Sequence, residues 1–63
     1  MELFEIELEV KNFVQTKTEL SSNEKAKRIA KTLDFITGIY LKHQEEIPVA
    51  EAYEILYFED KSQ

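Results

Sequence analysis

Phe4-Glu5-Ile6-Glu7-Leu8-Glu9-Val10 is the stretch on which the fold turns, because apolar and acidic residues alternate there without a break. Side chains on a strand point to opposite faces with period 2. An extended reading therefore makes an apolar face of Phe4, Ile6, Leu8 and Val10 and an opposite face carrying the carboxylates of Glu5, Glu7 and Glu9. Phe, Ile, Val and Thr favour strands, and the element can run on to Thr18 through Phe13-Val14-Gln15-Thr16-Lys17. The rival is a helix, because Leu3, Ile6, Val10 and Phe13 also recur at a spacing of three and four. That reading leaves Phe4 and Leu8 on the polar side and puts Lys17, not an apolar residue, at the next position of the stripe. The strand reading instead misplaces Leu3 and Phe13. The strand is the expectation adopted, with an all-α helical bundle as the alternative.

Outward from this segment, the second element is the clearest. Ser21-Ser22-Asn23-Glu24 has the S-x-x-E form of a capping box, with Ser21 as N-cap and Glu24 at the third helical position. The spacing predicts a helix over 21–43 with Ala26, Ile29, Ala30, Leu33, Ile36 and Tyr40 on one stripe. Phe35 and Ile39 lie off that stripe, which calls for cover on a second side by the C-terminal element, a second subunit or another protein. Gly38 inside the helix costs about 1 kcal/mol relative to Ala. Close approach of another backbone is the plainer account of it, and a weak point or kink the other. A helix-turn-helix with Asp34 as the turn fits poorly, for its reading helix holds only Lys42 and His43 as bases.

Residues 44–48 read as a connector that stops at Pro48. A shorter helix over 49–60 follows, opened by Pro48 at its first position and with Val49, Ala52, Tyr53, Leu56 and Tyr57 as its apolar stripe. A strand over 53–58 is the alternative, and residues 60–63 read as a frayed tail. The expected fold class is thus α+β: one domain over 1–63, with an acidic strand segment in 1–20, a long helix and a shorter one.

A lone strand cannot satisfy its own backbone groups. A chain of 63 residues also buries only about 60% of the surface its unfolded form exposes. With no Cys there is no disulfide to compensate, and a single histidine, His43, makes a structural zinc site unlike the common ones. A homodimer pairing two first strands antiparallel is the expected supplement. No cofactor and no metal are expected. No apolar run approaches the ~20 residues of a membrane span, and the acidic start carries no signal-peptide pattern. A Cys-free chain of this kind fits the cytoplasm.

The net charge of −5 argues against nonspecific nucleic-acid or anionic-membrane binding. Its distribution is uneven: residues 1–20 hold five acids against two bases, and 21–32 hold Glu24 against Lys25, Lys27, Arg28 and Lys31. Those cations oppose the dipole at a helix N-terminus, so something outside the helix should offset them. No Gly-rich phosphate loop, no H-E-x-x-H and no nucleophile pattern appears, and His43 with Glu45 and Glu46 reads as a solvated connector. The chain is therefore not expected to be an enzyme. The expected function is that of a small acidic regulator that binds another protein, of inhibitor, adaptor or anti-repressor type. Glu5, Glu7 and Glu9 at ~6.7 Å spacing on a strand would imitate a nucleic-acid backbone. The second candidate surface is Arg28, Lys31, Phe35 and Ile39. The alternative is a transcription regulator that contacts DNA through Lys25, Lys27, Arg28 and Lys31.

Overall fold

The computed structural model describes residues 2–58, and three helices account for its regular structure: α1 (Leu3–Gln15), α2 (Ser22–His43) and α3 (Val49–Leu56). No strand occurs among the described residues, so the α+β expectation is corrected to a small all-helical fold. The decisive stripe in the first segment is the one at helical spacing. Val10 and Val14 are fully buried, with Ile6 and Phe13 packed beside them, whereas Phe4 is 74% and Leu8 50% exposed. Half of the supposed apolar strand face is thus in solvent. The physical reason is that a helix satisfies its own backbone while a lone strand does not. Leu, Glu and Lys are also good helix formers. At 13 residues α1 would be marginal alone, so packing on its neighbours holds it. With the strand go the ladder of carboxylates at strand spacing and the ribbon dimer built on it.

The segment 16–21 turns the chain back. Thr16 donates its hydroxyl to the Phe13 carbonyl at 2.6 Å, and the Lys17 amide donates to the Val14 carbonyl at 2.9 Å. Ser21 caps α2 as its motif requires, with its Oγ accepting from the Glu24 amide at 3.1 Å. Glu24 does not complete the box. Its carboxylate instead takes Arg28 Nε one turn on, at 3.1 Å. The helix runs unbroken through Asp34, which removes the helix-turn-helix reading. It ends at Gln44, held in the left-handed region at φ 57°, whose amide donates to the Tyr40 carbonyl at 2.7 Å.

The stripe that α2 buries is rotated from the one expected. Thr32 and Ile36 are fully buried, but Ala26 and Ala30 are exposed. Phe35 packs against the core from the side of Arg28, two turns away. Among the described residues a Cβ placed on Gly38 would meet nothing within 4 Å, so close approach of another of their backbones does not explain that glycine.

Pro48 is the N-cap of α3 rather than its first helical residue. Val49, Ala52 and Tyr53 are buried, with Leu56 and Tyr57 partly so, as the stripe predicts. α3 ends at Leu56, short of the end expected at residue 60, and the tail over 60–63 lies outside the described residues. α1 and α2 form a hairpin, and α3 lies across one flank of it. The core is Val10 and Val14 from α1, Ile36 from α2, and Val49, Ala52 and Tyr53 from α3.

Candidate functional site

The flank of the hairpin beneath α3 is closed by three side-chain pairs, each one helical turn apart in sequence. Phe13 comes from the end of α1 and Lys17 from the turn after it, Glu24 and Arg28 from the start of α2, and Tyr53 and Tyr57 from α3 and its end. The Phe13 and Tyr53 rings meet edge to face at 5.2 Å, and the Tyr53 and Tyr57 rings are also 5.2 Å apart. Lys17 Nζ lies 4.8 Å from the Phe13 ring centre and 5.2 Å from that of Tyr53. The Arg28 guanidinium carbon is 4.4 Å from the centre of Tyr57 and 5.8 Å from that of Tyr53, and Arg28 Nη1 donates to the Tyr53 hydroxyl at 2.7 Å. Cations over aromatic faces contribute about 0.5–2 kcal/mol each, more where water is excluded. The Arg28 side chain is 14% exposed.

The titration of this cluster follows its burial. Burial alone would lower the Arg28 guanidinium, but the bonds to Tyr53 and Glu24 outweigh it and hold the group above its ordinary value. Burial pushes the Tyr57 hydroxyl up, and the neighbouring Arg28 pulls it down only in part. These contacts also supply what the basic half of α2 needs. Arg28 is neutralised by Glu24, and Lys25 Nζ donates to Gln15 Oε1 at 3.3 Å.

Among the described residues no helix covers the opposite flank. There a shallow groove of about 700 Å³ runs between Leu3 of α1 and Lys27, Ala30, Lys31, Leu33, Asp34 and Thr37 of α2. Leu3 is 53% exposed, and Phe4 and Leu8, one turn apart, continue an apolar ridge round the outer surface of α1. Helical geometry puts Glu5 on one side of that ridge and Glu7 on the other. Glu7 pairs with Lys11 at 3.8 Å, an exposed contact of little energetic weight. Neither Glu5, Lys27 nor Lys31 has an ion-pair partner among the described residues.

The residues singled out from the sequence are therefore divided between the two flanks. Glu5, Glu7 and Glu9 are all exposed but do not share one face, and Glu9 lies towards the connector beside Glu46, Ile47 and Pro48. Of the second surface, Arg28 is engaged beneath α3 and Phe35 packs on the core, while Lys31 lines the open groove. Ile39 is half-buried and shares a separate shallow depression with Phe35, Gly38, Lys42 and His43, so those two predicted residues do lie together. The four cations of the DNA-contact alternative are also split. Lys25 and Arg28 are partly buried and bonded within the chain, and only Lys27 and Lys31 stay exposed. Leu3, Phe4, Leu8, Ala30 and Leu33 are the residues the sequence reading missed. Phe4 and Leu8 on the polar side of the helical alternative were the available signal. No protein-family model, curated protein or solved structure matches this chain. No helix among the described residues is long and apolar enough to cross a membrane.

Proposed function

We propose that this protein is a non-enzymatic docking module, a small acidic regulator of inhibitor or adaptor type, which holds another protein on the open flank of its helical hairpin. One observation carries the reading. The two flanks of the same hairpin are built differently, and on the uncovered one Leu3, Phe4 and Leu8 remain half to three-quarters exposed. A groove between two antiparallel helices fits an amphipathic helix laid along it. Apolar residues supply the contact there, and Lys27 and Lys31 at its margin set the orientation. A Cys-free composition suits the cytoplasm as the place of action.

Photo-crosslinking in the native host tests this. A photoreactive residue at position 8 or 30 is expected to trap a protein partner, and one at position 51, exposed on α3, is not. Equal trapping from all three positions, or trapping from position 51 alone, would overturn the open flank as the docking face.

A further inference from the structure

We infer that the resting occupant of the open flank is a second copy of this chain, packed about a two-fold axis. The Phe4–Leu8 ridge of each copy lies in the groove of the other between Leu3, Ala30, Leu33 and Thr37. This rests on the reading of that flank as a docking face and adds the identity of what covers it first.

Three observations converge on a copy of the same chain. The ridge and the groove are both apolar and both uncovered, and they sit on neighbouring surfaces of one protomer. A two-fold operation presents each to the other and forms the contact twice, which is the defining property of an isologous interface. The charges are also complementary. Glu5 and Glu7 flank the ridge with one base beside them, Lys11, paired with Glu7 at 3.8 Å, so that margin is net negative; the groove carries Lys27 and Lys31 against Asp34 and is net positive. Antiparallel docking brings the acidic margin of one copy to the basic margin of the other, and the reverse at the symmetry-related contact. Like charges would meet if ridge packed on ridge or groove on groove, so the same residues disfavour those arrangements.

Size makes the same demand. Six buried hydrophobic residues form the core, and chains of this length commonly need a further source of stability, oligomerisation among them. A stable interface covers about 800 Å² on each partner. That is roughly a sixth of the 4810 Å² accessible surface. The result is a four-helix layer of two hairpins, with α3 of each protomer on the outside.

The test is a charge exchange read by sedimentation equilibrium on the intact chain. The wild type is expected to be dimeric at high concentration. Lys27→Glu with Lys31→Glu should weaken association at least about tenfold, and so should Glu5→Lys with Glu7→Lys, since several exposed charge contacts are reversed at once. An equimolar mixture of the two variants should recover association as a mixed dimer. Circular dichroism of each variant checks that helicity is retained, and Leu8→Arg gives a second disruption independent of those charges. A wild type that stays monomeric at every concentration overturns the inference. So does a dimer indifferent to both charge reversals and to Leu8→Arg. Trapping of a foreign protein from positions 8 and 30 by a monomeric wild type would overturn the second copy while leaving the docking reading intact. A dimer that responds as expected, in a host where no foreign protein is trapped, supports the second copy and removes the docking reading.

Discussion

The closed and open flanks of the hairpin are made from the same two helices, yet they solve different problems. On the closed flank Phe13, Arg28, Tyr53 and Tyr57 each meet a neighbour from another element, and Phe58 beside them is the large side chain left 74% exposed. Tyr53 alone meets Phe13, Lys17, Arg28 and Tyr57. On the open flank Leu3, Phe4 and Leu8 keep half or more of their surface in water. Isolated exposed apolar residues are ordinary on protein surfaces, whereas contiguous ones mark interaction sites. The difference separates two roles: one flank holds the fold together, and the other is available for contact.

That separation is open to direct attack. Tyr53→Ala should have the largest effect, a loss of about 3–4 kcal/mol, because the ring is 8% exposed and joins all three helices. A domain of this size has little more than that in reserve, so the helical signal should collapse at ambient temperature. Arg28→Met keeps the aliphatic stem but removes the bond to Tyr53 and the pair with Glu24. A loss of about 2 kcal/mol by urea denaturation is expected. Thr32→Val should move the other way. The Thr32 hydroxyl is fully buried with no hydrogen-bond partner, so replacing it with a methyl group of similar shape should gain about 1 kcal/mol. In dilute solution, where association adds nothing, Phe4→Ser and Leu8→Ser should shift stability by less than about 0.5 kcal/mol while abolishing capture on the open flank. A large destabilisation there would mean that the two flanks are not divided as described.

The smallest effect concerns pH. The Tyr57 hydroxyl is held above its ordinary value of 10.0 by burial, so the folded state keeps the proton more tightly than the unfolded chain does. Its contribution is whole below pH 10 and is lost as pH rises through and beyond that value. Thermal melts of Tyr57→Phe should show a shallower alkaline decline than the wild type, with the Arg28 contact to the ring preserved.

These two flanks were unequally legible in the sequence. The start of α2 was readable because capping is local: Ser21 and Glu24 announce it within four residues. The stripe of α3 was readable because Val49, Ala52 and Tyr53 fit only one period over that length. The first segment was misread because seven alternating residues satisfy period 2, while the deciding members of the helical stripe, Phe13 and Val14, lie beyond them. Lys17 counted against a helix as a charge in an apolar stripe. Its ammonium in fact rests on the Phe13 and Tyr53 rings, so the stripe is continued by the lysine and does not end there. The buried face of α2 was displaced because α3 packs to one side of it, and Arg28 meets Tyr53 from 25 residues away. Each of the three turn-spaced pairs is visible in the chain, but their convergence on one flank is a property of tertiary packing. The open flank was missed as a consequence, since an extended first segment put Phe4 and Leu8 inside.

The absence of native cysteine permits one decisive measurement. Single cysteines placed in turn at positions 4 to 10, assayed for thiol labelling in dilute solution, report which side chains water reaches. The account predicts fast labelling at positions 4 and 8, slower labelling at 6 and protection at 10. Protection of 4, 6, 8 and 10 together, with 5, 7 and 9 labelled fast, would contradict it.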